Sequence, residues 1–231
     1  MNTSSDINSP KLVYKNNGNF DLIKIIDFNN RLFLDVGCGA GDNSRLIKAR
    51  CPLAKIDGIT YSKEEATLAG LILDRCWVLD LEEPIPQFLM NQSYDCIIFS
   101  HVLEHLKNPE IIVQKFFDLL RPGGELIIAV PNILSWRMRL QFLVGNFTYV
   151  KAGELDETHL RFFTYYTADN YLFQRTSNLK LIFKKASGSF PLWILRRYLF
   201  PNFIVCYIDR FACELFPNLF GSQILIKAIK K

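Results

Sequence analysis

The sequence predicts a single α/β domain: a doubly wound, mostly parallel seven-stranded sheet carrying helical lid insertions. Three observations predict it. Short apolar runs alternate with helix-patterned segments from Arg31 to Val130, as a sheet covered on both faces requires. The first run, RLFLDV, breaks into the glycine-rich turn GCGAG and then into a helix. The length, 231 residues, suits one large domain with a full core, and 49% hydrophobic with 22% charged residues is ordinary for a globular chain.

Arg31–Val36 is the first strand and Asn43–Ala49 the helix after its turn. Lys55–Ile59 is the second strand. Ser62, with Glu65 three residues on, opens the next helix in the manner of a capping box. Trp77–Leu79 is a weak third strand before the acidic, proline-containing turn DLEEPIP. Tyr94–Phe99 (YDCIIF) reads as a buried fourth strand, and a helix over Asn108–Leu120 is closed by RPGG. Glu125–Val130 is the fifth strand, and Leu179–Lys185 with Gln223–Ile229 form a final, antiparallel edge pair. Residues 1–30 are an N-terminal arm, frayed over Met1–Pro10, and 31–231 the domain. The stretches at about 133–164 and 188–221 are insertions after strands, where such sheets build an acceptor site.

Net charge is +4 with no Lys/Arg block, so no nucleic-acid partner is expected. Six cysteines form no CxxC pair, and the chain opens without a signal-peptide pattern; reduced thiols and a cytoplasmic location follow as expectations. The aromatic-rich stretch 190–220 is interrupted by Arg196, Arg197, Asp209, Arg210 and Glu214. Its longest uncharged run, Tyr198–Ile208, is too short to span a bilayer. It reads as a core or lid helix, or as a peripheral surface for membrane or lipid-linked substrate.

Chemistry concentrates at strand ends. Gly37, Gly39 and Gly41 permit a tight turn and close backbone approach to a ligand. Asp35, at the end of the first strand, suits a cationic amino group, directly or through water, better than a pyrophosphate. Asp35-Val-Gly37-Cys38-Gly39-Ala-Gly41 resembles motif I of class I S-adenosylmethionine-dependent methyltransferases, whose fold is Rossmann-like. GITYS, Asp80-Leu81, SHVLEHL and LLRPGGELIIAVPN follow in that family's order and spacing, so the resemblance covers Leu32–Asn132 closely. It implies S-adenosylmethionine as cofactor. The Gly37–Cys38–Gly39 turn would hold its methionine moiety, and Asp80, with the Leu81 backbone, its adenine amino group. Ser100 and His101 would lie between the methionine end and the acceptor.

One position departs from the family. Where a carboxylate usually takes both ribose hydroxyls, this chain has Thr60, followed by Tyr61 and Ser62. The GIT–Ser pattern is similar to that of cyclopropane fatty acid synthase-like enzymes, in which a polar residue five positions on helps bind cofactor. That residue is Glu65 here, and closure of the capping box with Ser62 competes for it.

His101, His105 and His159 are the three histidines. GELDETHLRFFT, containing His159, and LFGSQILIKA resemble a methyltransferase subgroup linked to polysaccharide and glycolipid gene clusters. The resemblance implies methyl transfer to an oxygen or nitrogen of a small-molecule acceptor, a sugar or lipid-linked glycolipid precursor first, with a lipid or quinone methyltransferase or a non-catalytic member of the fold as the alternatives. His159 and His105 are the candidate catalytic residues, with His159 as general base; a neutral imidazole accepts a hydroxyl proton near pH 7. His159 packing the lid against the sheet is the competing reading. His101-x-x-Glu104-His105 is one residue from a Glu-x-x-Glu-His pattern that binds a divalent ion in ubiquinone-pathway and small-RNA methyltransferases, and the resemblance to the RNA enzymes, where a downstream histidine completes the site, offers His159 for that part. HVLEH-like sequences are common without metal, and no metal is expected. The NPPY-like signature of base-amine methyltransferases is absent after the fourth strand.

Overall fold

The computed structural model describes residues 17–191 and 201–231, so Met1–Pro10, Arg196, Arg197 and Tyr14, an arm residue readable as a cover over the cofactor or as a surface aromatic, lie outside the described residues. Seven strands form one sheet: β1 (Leu32–Val36), β2 (Lys55–Thr60), β3 (Arg75–Val78), β4 (Tyr94–Ser100), β5 (Leu120–Pro131), β6 (Leu179–Gly188) and β7 (Gly221–Lys230). Their spatial order is β3-β2-β1-β4-β5-β7-β6. The first five run parallel, and β7 pairs antiparallel with both β5 and β6. The order reverses between β1 and β4, which opens a crevice at their carboxyl ends.

Alternation along the strands builds two cores, one on each face. Leu34, Val36, Ile97, Phe99, Ile128 and Val130 face α5 (Pro109–Phe117) and α7 (Ala168–Phe173), where Ile112, Val113, Phe116 and Leu172 meet them. Phe33, Ile56, Cys96, Ile98 and Ile127 face the other way, toward α2 (Asp42–Arg50) and α3 (Lys63–Ala69). α1 (Phe20–Ile23) joins this second core. Leu22 and Ile23 are fully buried and Ile26 nearly so, so the last part of the expected arm belongs to the packed body. Continuous apolar runs such as CIIF are read correctly as strands because both faces are covered.

Two element boundaries move. α5 ends at Phe117, with Asp118 as its cap, so RPGG does not close that helix. It lies inside β5, where the β4–β5 register shifts between Tyr94 and Cys96. α4 (Gln87–Met90) forms immediately after the proline-containing turn, with Pro86 at its N-cap. The first insertion holds α6 (Trp136–Leu143) and a loop returning to the sheet; the second holds α8 (Asn202–Leu215) and α9 (Pro217–Phe220). Asn132, fully buried, ties the two together: its Nδ2 donates to the carbonyls of Asn218 and Gly221 at 3.2 and 2.8 Å. Among the described residues, no helix is long and apolar enough to cross a membrane.

Candidate active site

A cleft of about 1290 Å³ opens over the carboxyl ends of β1, β2, β3 and β4. The turn after β1 forms its floor. Gly37, Gly39 and Gly41 take φ of 74°, 53° and 86°, left-handed values that favour glycine. A Cβ on Gly37 would stand 2.6 Å from Val102 Cγ2, so the turn can pack beneath the loop after β4 only without a side chain. The Gly37 and Cys38 amides both donate to the Ile59 carbonyl, at 2.8 and 2.9 Å, which locks the turn against β2.

Asp35 lies under this floor and is absent from the cleft wall. Its Oδ2 accepts from Ser44 Oγ at 2.8 Å, bracing the start of α2, while Oδ1 is buried without a hydrogen-bond partner. Burial raises the Asp35 carboxyl to about 6, against the Ser44 bond that pulls it down. Asp35 thus lies one layer below the residues that line the cleft, a depth compatible with the water-mediated route of the two expected for it.

The wall beyond Gly37 is built from β2 and α3. Thr60 Oγ1 donates to Glu65 Oε2 at 2.6 Å, and both residues are buried and line the cleft. Ser62 caps α3, its Oγ accepting from the Glu65 amide at 3.3 Å. The backbone amide of Glu65 thus serves the cap, while its carboxylate turns to Thr60 at the cleft wall. Tyr61 lines the wall and remains 62% exposed. Farther along are Asp80 and Leu81. Asp80 Oδ1 accepts the Glu82 amide at 2.9 Å, which fixes the turn and presents the carboxylate to the cleft.

Past β4, Ser100 and His101 lead to the other end of the cleft. His101 has φ 54°, an unusual conformation for a residue with a side chain. Its Nδ1 lies 3.3 Å from Glu104 Oε1 and its Nε2 3.1 Å from Gln223 Oε1. Burial alone would lower the imidazole, but the Glu104 carboxylate and the Gln223 oxygen outweigh it and raise its pKa. His105 moves down, chiefly by burial. Its ring lies edge-to-face on His159, with centroids 4.7 Å apart. The loop after α6 carries His159 to this place because the Leu160 and Arg161 amides both donate to the Glu104 carbonyl, at 2.8 and 3.0 Å.

A methyltransferase domain model matches residues 19–174, about two thirds of the chain. The chain belongs to the methyltransferase domain family. Its fold is the class I, Rossmann-like fold of S-adenosylmethionine-dependent methyltransferases. A S-adenosylmethionine-dependent methyltransferase of Thermotoga maritima superposes with a TM-score of 0.60, covering 91% of this chain and 86% of that one at 16% identity. Trans-aconitate 2-methyltransferase of Methylobacterium radiotolerans is 32% identical over 107 residues, 46% of this chain and 40% of the relative. Ubiquinone biosynthesis O-methyltransferase of Aeromonas salmonicida is 30% identical over 109 residues, 46% and 44% respectively. The chain thus spans under half the length of these curated relatives.

The structure brings Gly37, Cys38, Gly39, Thr60, Tyr61, Glu65, Asp80, Leu81, Ser100, His101, His105 and His159 of this methyltransferase domain onto one cleft, and leaves Asp35 beneath it. Two lining residues escape the motif reading. Asn19 donates from Nδ2 to Gln223 Oε1 at 2.7 Å and from its backbone to Asn43 Oδ1 at 2.7 Å, closing the cleft over the glycine turn. They lie 204 positions apart in the chain, and no local pattern marks either. Among the described residues, the second insertion adds nothing to the cleft wall; the first adds residues from Ala152 to Leu160.

Proposed function

We propose that this chain binds S-adenosylmethionine in the cleft and transfers its methyl group to an oxygen of a small-molecule acceptor, a sugar or glycolipid precursor. The observation that carries the reading is the order of the wall: glycine turn, Thr60–Glu65 pair, Asp80, then Ser100 and the histidines, along one continuous cavity. At about 1290 Å³ it exceeds the volume of a typical single-ligand site, so cofactor and acceptor fit end to end. The Gly37–Gly39 turn takes the methionine moiety, and Asp80 with the Leu81 backbone takes the adenine. Glu65 supplies the ribose carboxylate that position 60 lacks, oriented by the Thr60 hydroxyl.

Reaction needs the acceptor oxygen in line with the methyl carbon and sulfur. The oxygen forms a bond to the methyl carbon, the carbon–sulfur bond breaks, and its electron pair neutralises the sulfonium to give the thioether S-adenosylhomocysteine. Holding donor and acceptor in line supplies about 7–11 kcal/mol in favourable cases. His159, with His105 beside it, takes the hydroxyl proton, a contribution of ~10²–10⁴-fold. His159 Nδ1 sits 3.2 Å from the Glu154 carbonyl, which only accepts, so Nδ1 carries the hydrogen and Nε2 keeps its lone pair.

A lipid-linked acceptor is favoured by one surface. On α8, Phe203, Tyr207, Phe211 and Leu215 recur at four-residue spacing and are 52–73% exposed, an apolar stripe suited to a membrane face. Calorimetric titration with S-adenosylmethionine and S-adenosylhomocysteine tests the cofactor reading. Labelled methyl transfer to nucleotide sugars, with and without liposomes, tests the acceptor. Micromolar binding and sugar-dependent transfer are expected; a folded protein that binds neither cofactor form overturns the reading.

A further inference from the structure

We propose that Glu104, His105 and His159 form a binding site for a divalent transition-metal ion, of the zinc, cobalt or nickel class, at the acceptor end of the cleft. One donor atom from each residue lies within 4.8 Å of the others, and all three residues line the cavity. A tetrahedral ion about 2.1 Å from each donor would draw them to roughly 3.4 Å apart.

The proton positions favour the ion independently of the spacing. His159 donates from Nδ1 to the Glu154 carbonyl, at 3.2 Å, and offers Nε2. His105 Nδ1 lies 2.9 Å from Thr158 Oγ1. The one proton of that hydroxyl is already given to Asp156 Oδ1 at 2.6 Å, so His105 Nδ1 must donate and Nε2 is again the free lone pair. Each ring is thus held by an outer acceptor in the tautomer a metal ligand needs, the usual support of a coordinated histidine. Asp156, itself buried, takes a second bond from the Thr158 amide at 2.8 Å and steadies that relay.

Glu104 supplies the second line of support. Its side chain is 1% exposed and neither carboxylate oxygen has a hydrogen-bond partner. A buried carboxylate with unfilled lone pairs is costly unless a cation completes it. His101 Nδ1, 3.3 Å from Oε1, is one neighbouring cation when protonated, but its Nε2 is directed to Gln223, away from the histidine pair. The backbone carbonyl of the same Glu104 ties down the His159 loop, so two separate chain segments are fastened together at the donor cluster.

Two imidazoles and one carboxylate suit a borderline transition ion better than magnesium or calcium, which prefer oxygen. Three protein donors leave coordination positions open toward the cavity, the mark of a catalytic rather than a structural site. This deepens the acceptor end of the proposed function, and rests on that reading for the open position to be filled by an acceptor oxygen. With the ion held through the Nε2 atoms of His105 and His159, His159 no longer serves as the base: the ion would lower the pKa of a bound hydroxyl, whose proton would leave to solvent, and would stabilise the resulting alkoxide.

The test is titration of the tag-free, chelator-stripped chain with Co²⁺ alone, read by its visible d–d absorption and followed by displacement with Zn²⁺. Calorimetry with S-adenosylhomocysteine on the same samples serves as control for folding and for the cofactor site. One equivalent of Co²⁺ is expected to bind, with affinity at least tenfold lower for Glu104→Gln and for His159→Ala. Absence of the bands in wild type that still binds S-adenosylhomocysteine overturns the metal site and leaves the methyltransferase reading standing. Bands that persist unaltered in both ligand variants also overturn it. Bands in wild type without S-adenosylhomocysteine binding support the ion site and sink the cofactor reading.

Discussion

Replacing Glu65 with Ala is expected to weaken S-adenosylhomocysteine binding more than any other single truncation along the β2 wall. The side chain is buried, lines the cleft and holds the Thr60 hydroxyl at 2.6 Å. Ribose hydroxyls donating to this carboxylate would make charge-assisted bonds worth about 1.5–3 kcal/mol. Their loss corresponds to a rise in Kd of roughly tenfold to 150-fold. The Ser62 cap survives, because it accepts from the backbone amide of residue 65. Thr60→Val keeps the carboxylate and removes its tether, a smaller loss of about 0.5–1.5 kcal/mol, or roughly twofold to twelvefold. Calorimetry near neutral pH on both variants, with thermal melts to check folding, measures the difference. A Glu65→Ala protein that melts with wild type and binds within twofold of it would refute the assignment of the ribose carboxylate to α3.

Three further outcomes are expected. Burial lifts the Asp35 carboxyl to about 6 from 3.8, so the stability it contributes is full below pH 3.8 and is lost as pH rises through 6. Asp35→Asn should therefore gain about 3 kcal/mol over wild type at pH 8 and little at pH 4, by urea melts; equal effects at both pH values would contradict this. Gly37→Ala puts a Cβ 2.6 Å from Val102 Cγ2 at φ 74°, and should weaken cofactor binding by roughly 100-fold with a lower Tm; near-wild-type calorimetry would remove the argument for a side-chain-free turn. Tyr94→Phe deletes a 2.9 Å bond from a buried hydroxyl to Asp57, which keeps its two bonds from Arg75 at 2.8 and 2.6 Å. It should cost about 1 kcal/mol, a Tm drop of roughly 2–4 °C, and leave cofactor affinity unchanged.

The parallel sheet was legible because its strands are buried on both faces: YDCIIF and ELIIAV need no alternation to be recognised, and GCGAG marks a turn in which Gly37 leaves no room for a side chain. The cleft wall was legible for a related reason. Each of Gly37, Thr60, Asp80 and Ser100 stands at the end of its own strand, and parallel pairing necessarily brings those ends to one edge. Short helices such as α1 and α4 were not, since four residues carry too little periodicity to read. Depth was likewise hidden. Asp35 and Thr60 both sit near strand ends, yet only packing decides that one lies under the floor and the other on the wall.

The sequence by itself determined the fold, the order of the cofactor motifs and the identity of the histidines, because these depend on local pattern and strand polarity. Only the tertiary structure decided which proton each ring carries, that Glu65 turns to Thr60 and that Glu104 is buried without a hydrogen bond between two chain segments. The His105 proton and the setting of Glu104 arise from contacts with Thr158 and Leu160, far along the chain, whereas Glu65 with Thr60 and His159 with Glu154 are five residues apart and their side-chain directions are set by packing. No local spacing encodes the long-range contacts, because they exist only once the insertion after β5 has folded back over the sheet.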